Sequence, residues 1–185
     1  MPPPGLTGGG VLDARLKTMA AKLGGRRELH VGFLEGSTEA DGTSLPMVAF
    51  IQEYGAPRAG IPPRPYFRRM IAKHKAEWPG QVAKLVKARD YDAVAALESM
   101  GEVISGELRA SIAALQSPPL SKTTLMLRKM KKADPTLRDR MTYATVIEAR
   151  RRVAAGKSYA GVSTKPLVDT GVMLNGIGHE VEDSA

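Results

Sequence analysis

The stretch from Gln52 to Phe67 carries four prolines and two glycines in sixteen residues, yet it is not a low-complexity linker. Pro57, Pro62, Pro63 and Pro65 each fix their own φ and push the preceding residue towards an extended conformation. Part of the entropy of ordering the loop is thereby removed before folding, so the segment is expected to hold one shape. It must end a helix at Gly55 and admit another at Tyr66-Phe67. A stiff loop bearing Arg58, Arg64 and two adjacent aromatics suits contact with another protein better than it suits chemistry.

Hydrophobic periodicity places the other elements around this loop. Leu12, Leu16, Met19 and Leu23 recur at 4-3-4 spacing, which predicts an amphipathic helix over 11–23 closed by Gly24-Gly25. Residues 28–34 alternate and predict a strand. Ser44 is placed to cap a helix with Pro46 in its first turn, running to Gly55. Helix resumes from Tyr66 to Trp78, with Phe67, Met70, Ile71 and His74 on one face. Pro79-Gly80 is expected to interrupt it before a short helix with Val82, Leu85 and Val86. The longest periodic run, 91–115, predicts about six helical turns, with Gly101 allowing close approach of a neighbour. Ser121 caps a basic helix over 122–132, Asp134-Pro135 breaks it, and 142–155 is helical again up to Gly156. A short helix over 172–175 leads to a last alternating segment, 176–182, expected to pair antiparallel with 28–34. The fold class is α+β: a small antiparallel sheet packed with several helices. Residues 1–10, rich in Pro and Gly, read as a disordered arm, and 11–185 as one domain with a basic helical insertion at about 122–164.

The formal net charge of +8 is spread unevenly. Residues 58–89 hold nine Lys/Arg against Glu77, and 122–157 hold eleven against Asp134, Asp139 and Glu148. The last six residues reverse sign with Glu180, Glu182 and Asp183. Such a balance fits an acidic protein neighbour or nucleic acid, although ordinary solvated faces are the commoner explanation of any single cluster. The absence of cysteine excludes a disulfide framework, a thiolate nucleophile and a zinc–thiolate site. No apolar run reaches the roughly 20 residues of a membrane helix. The start, Met1-Pro2-Pro3-Pro4-Gly5, lacks the pattern of a secretion signal, so a non-membrane protein made in a cytoplasm is expected.

Motifs that would carry chemistry are weak. Asp169-Thr170-Gly171 resembles half of an aspartic protease centre, which needs two carboxylates sharing a proton. The single copy would require a dimer, and a helix start capped by Asp169 or Thr170 explains the same residues. His30, His74 and His179 have no metal-ligand spacing, although pairing of the two strands could bring His30 and His179 together. No phosphate-binding loop and no Ser with a base and an orienting acid is present, and neither a cofactor nor a metal is expected. Basic clusters at Arg68-Arg69, Arg128-Lys129 and Arg150-Arg151-Arg152 could meet DNA phosphates. The nine aromatics do not interleave with them, so stacking platforms for single strands are lacking.

Several blocks stand in a telling order. They are Val31-Gly32-Phe33-Leu34-Glu35-Gly36, Asp41-Gly42-Thr43-Ser44, Glu53-Tyr54-Gly55-Ala56-Pro57 and Ile61-Pro62-Pro63-Arg64-Pro65-Tyr66-Phe67-Arg68. Pro118-Pro119-Leu120-Ser121 and Lys165-Pro166-Leu167-Val168-Asp169-Thr170-Gly171 follow. The ordered set resembles the neck and tail-completion (head–tail joining, minor tail) proteins of long-tailed bacteriophages. Two departures stand out: Gly176 lies where that family commonly has serine, and 122–164 is longer and more basic than its core pattern.

The resemblance implies a virion protein without catalysis, synthesised in the bacterial host cytoplasm. Such proteins form a ring of their own copies, commonly sixfold, at the head-proximal end of the tail. Their partners there are the tail terminator or tail tube protein and the head connector. Candidate interface residues are Tyr54, Arg58, Arg64, Pro65, Tyr66, Arg68, Lys165 and Asp169, with Phe67 assigned to the core. Alanine at Arg64 and Tyr66 is then expected to leave the monomer folded. The rival reading is a basic protein making nonspecific contact with DNA.

Overall fold

The computed structural model describes residues 9–39, 42–169 and 171–183. Eight α-helices and one antiparallel two-stranded ribbon occur in the order α1 (Gly9–Leu23), β1 (Arg27–Phe33), α2 (Leu45–Tyr54), α3 (Tyr66–His74), α4 (Trp78–Ala88), α5 (Ala93–Ala114), α6 (Lys122–Ala133), α7 (Tyr143–Ala154), α8 (Val172–Asn175) and β2 (Ile177–Asp183). The class is α+β. Most of the expected N-terminal arm, 1–8, lies outside the described residues. Gly9 and Gly10 do not belong to an arm, because they form the first turn of α1.

The ribbon pairs the two ends of the chain. Leu29 faces Val181, Val31 faces His179 and Phe33 faces Ile177. These three pairs share one side of the ribbon, and α5 packs against both strands. The alternate residues Glu28, His30, Glu180 and Glu182 lie on the other side, as period-2 geometry requires. His30 and His179 therefore diverge to opposite faces, and the expected histidine contact does not form. His30 stands 3.8 Å from Glu28 and 3.9 Å from Glu182. His179 instead meets Glu98 of α5 at 3.0 Å.

Local capping explains four of the eight helix starts. Ser44, Asp92, Ser121 and Thr142 each accept an N–H from the first turn that follows. Pro79 does not interrupt a helix; it sits in the first turn of α4, where its missing N–H is not needed. The start of α8 also departs from expectation. Gly171 at φ 81° precedes it without any side-chain cap, and Asp169 is directed to Arg128 instead. Thr170 lies outside the described residues.

The main core joins Leu45 and Ala49 of α2, Tyr66 and Met70 of α3, Leu108 and Ile112 of α5, Met173 of α8 and Ile177 of β2. Gly176 lies against this core: the methyl end of Leu45 fills the space a side chain there would need. A second, smaller cluster of Met126, Met130 and Ala149 holds α6 to α7. The basic 122–164 region thus carries an apolar core of its own, backed by Leu127, Leu137, Val153 and Tyr159.

Candidate protein interface

The proline-rich segment folds back on itself. Ala56 and Ile61 form an isolated antiparallel bridge, a 3-10 turn covers Pro57–Ala59, and Gly60 adopts the left-handed conformation. The Arg64 N–H donates to the Gln52 carbonyl at 2.8 Å, which closes the loop. Gly55 is required at the exit of α2 by its φ of 80° and by its fit against Ile61 and Pro63.

This closure inverts two expectations. Arg64 is only 5% exposed and Tyr66 only 1% exposed, so neither presents its side chain to a partner. The Arg64 guanidinium donates to Gln52 Oε1 at 2.8 Å and to the Pro118 carbonyl at 3.4 Å. Burial, and then the nearby Arg128 cation, lower its pKa from the usual arginine value. The Tyr66 hydroxyl donates to the Ala49 carbonyl at 3.1 Å, and burial followed by the Glu53 carboxylate raises its pKa well above that of free tyrosine. Phe67, assigned to the core, is half-buried and lies against Gly32.

Glu53 explains how α3 begins without a local cap. Its carboxylate is buried and accepts the Phe67 N–H at 2.9 Å and the Arg68 N–H at 3.3 Å. It also accepts Arg68 Nε at 2.8 Å. An acid at the last turn of α2 thus neutralises the positive end of α3 and satisfies two of its free donors.

Of the remaining candidates, Tyr54 and Arg68 are exposed and are brought together. The Arg68 guanidinium lies 4.7 Å above the Tyr54 ring, whose centroid is 4.7 Å from that of Phe50. Met47, Phe50 and Tyr54 are each more than half exposed and share one side of α2. Leu45, Ala49 and Glu53 are buried on the other. Sequence reasoning missed Met47 and Phe50. The signal was present, because α2 is apolar on both faces and a helix of that kind is normally covered on both.

Beside Met47, Phe50 and Tyr54, a groove of about 470 Å³ runs between α2 and β1, with His30, Phe33, Ala49 and Phe67 among its walls. Six consecutive residues, His30 to Glu35, line it. A strand contributes in that way when its edge, not one face, turns to the cavity. That edge is the one β2 leaves unpaired among the described residues.

Arg58 is exposed at the tip of the loop, and Pro65 is half-buried at the start of α3. Lys165 is exposed, while its carbonyl accepts Arg128 Nη1 at 2.9 Å. Asp169 stands 3.4 Å from Arg128 Nε and shares with Arg64, Arg128, Lys131 and Arg138 the lining of a cleft of about 770 Å³. The candidates therefore separate into an aromatic patch on α2, a lone arginine at the loop tip and a charged cleft. Among the described residues, no three His, Asp or Glu side chains gather as a metal site requires. No helix among the described residues is long and apolar enough to cross a membrane. Comparison with family models, with curated proteins and with solved structures found no match to this chain.

Proposed function

We propose that this chain is a structural component of a bacteriophage neck, completing the tail and joining it to the head connector as a ring of its own copies. The observation that carries this reading is the apolar surface left uncovered on a folded body. The α2 side with Met47, Phe50 and Tyr54 is exposed, and so is the stripe of Leu12 and Leu16 on α1. Contiguous exposed apolar surface rimmed by charge marks contact with protein. Aromatic and arginine anchors such as Phe50, Tyr54 and Arg68 are the types that dominate binding energy there. The ordered blocks that resemble those of tail-completion proteins support the same role.

The basic residues favour DNA less than their number suggests. Lys129 and Lys132 donate to the Ala160 and Gly161 carbonyls, both at 2.8 Å, and Arg128 is buried against 163–168. Much of the charge on α6 is thus spent on the protein's own backbone.

The test is electron microscopy of particles carrying a labelled copy, together with particles from a host in which the gene is deleted. Label at the head–tail joint, with separated heads and tails in the deletion, is the expected outcome. Normal joined particles without the protein would overturn the reading. Retention of duplex DNA by the purified protein at moderate salt would favour the DNA-binding reading instead.

A further inference from the structure

Two unfilled surfaces on this chain match one another. The first is α1, fifteen residues with none buried. Its stripe of Leu12, Leu16 and Leu23 is exposed, and Met19 is only half-buried. A solitary helix of that length is marginal in water, because its hydrogen bonds barely offset nucleation. It needs a surface to lie on. The second is the β1–α2 groove, which no residue of α1 lines.

We propose that α1 of one copy occupies the β1–α2 groove of a second copy. Leu12 to Leu23 spans about 16 Å along a helix, and the groove wall runs along β1 from His30 to Phe33, about 10 Å of strand, and continues through Leu34 and Glu35. The charges agree. On α1, Lys17 pairs with Asp13 and Lys22 with Asp90, which leaves Arg15 as the cation outside any ion pair among the described residues. Glu35 and Glu180 stand exposed at the groove, neither in an ion pair among the described residues, while Glu53 and Arg68 satisfy each other. A helix laid there would also cover the free edge of β1, one of the ways natural proteins protect such edges.

The contact joins two different patches, so it is heterologous. Repeated copy to copy, it closes a ring or runs on as a filament. It deepens the ring reading above and rests on that reading for closure, not for the contact itself.

The cysteine-free chain permits a direct test. Leu16→Cys and Phe50→Cys alter exposed residues, so the fold is retained, and circular dichroism checks this. Oxidation of the two single variants mixed together is expected to give far more disulfide dimer than either alone or than Leu16→Cys mixed with Tyr143→Cys. A chain carrying both Leu16→Cys and Phe50→Cys is expected to give a ladder of oligomers ending at the ring size. In sedimentation, Leu16→Glu is expected to weaken self-association about thirtyfold, the loss of one apolar anchor.

A double variant that yields only an internally crosslinked monomer would place α1 in its own groove and overturn the proposal. Absence of crosslinks, or rings unaffected by Leu16→Glu, would overturn it too. The neck reading fails separately: a ladder from a protein absent at the head–tail joint would leave the contact and remove the location.

Discussion

The imidazole of His179 occupies the space that a side chain at Gly101 would need. A Cβ at Gly101 would overlap the His179 ring and press on its Cβ, so β2 lies on α5 only because position 101 has no side chain. The ring is then held by Glu98 at 3.0 Å. Gly101→Ala adds helix propensity of about 1 kcal/mol but overpacks a closed contact, at a cost of about 1–3 kcal/mol. We expect a net loss of stability in urea unfolding. His179→Ala is expected to restore it in the double variant, with a coupling energy of at least about 0.5 kcal/mol.

Glu53 makes the start of α3 depend on the end of α2. Glu53→Ala leaves the Phe67 and Arg68 N–H groups without their acceptor and removes the carboxylate that Arg68 Nε meets. Loss of charge-assisted bonds at a buried site costs about 2–4 kcal/mol. Glu53→Gln keeps one acceptor oxygen and is expected to lose roughly half as much. Chemical denaturation of the three proteins checks the order.

Tyr66 and Arg64 belong to the stability of the monomer. Tyr66→Phe removes the hydroxyl bond to the Ala49 carbonyl and is expected to cost about 1 kcal/mol, whereas Tyr66→Ala opens a cavity costing about 3–5 kcal/mol. Both losses are expected in the isolated chain at low protein concentration. Equal stability of Tyr66→Ala and the parent would contradict the burial described.

The contrast between these residues shows which parts of the fold were legible in the sequence. The caps at Ser44 and Ser121 were readable because each lies three residues before the N–H it accepts, whereas those at Asp92 and Thr142 went unread. The ribbon was readable because both strands alternate, and Gly101 because it interrupts an otherwise apolar stripe. Arg64 was not, because its partners include the Pro118 carbonyl, 54 residues away. Nothing in a proline-rich loop signals that it will curl inward and carry its arginine with it. The face of α2 with Met47 and Phe50 was overlooked for a related reason. Its excess of apolar residues has no use within one chain, and single-chain reasoning assigns such residues to the core.

Asp90 gives a pH-dependent tether for α1. Its carboxylate accepts Lys22 Nζ at 2.6 Å, and that hydrogen bond, followed by the Lys22 charge, holds its pKa below the usual aspartate value. A depressed carboxylate pKa stabilises the tethered state above the ordinary aspartate range, and this contribution fades as pH falls through the lowered folded value. Hydrogen exchange at 19–23 is therefore expected to accelerate at acidic pH relative to the core helices. Asp90→Asn should show the faster exchange already at neutral pH.

Arg128 fastens the segment that leads into α8. One of its nitrogens, Nη1, donates to the Ser163, Lys165 and Val168 carbonyls at 2.7, 2.9 and 3.3 Å, and Nε faces Asp169. Burial lowers its pKa and the Asp169 charge acts against that shift, so the guanidinium keeps its proton and its donors. Removing it leaves three carbonyls and an aspartate without their shared partner, a loss of about 2–4 kcal/mol for Arg128→Ala. Lysine carries the charge on a single nitrogen at the end of a flexible stem and cannot reproduce the forked geometry, so Arg128→Lys is expected to recover less than half. Limited proteolysis separates this from a general loss of fold. Cleavage is expected first within 157–169 in both variants, while the β1–β2 ribbon stays protected in hydrogen exchange. Uniform loss of protection would instead make Arg128 a support of the whole core.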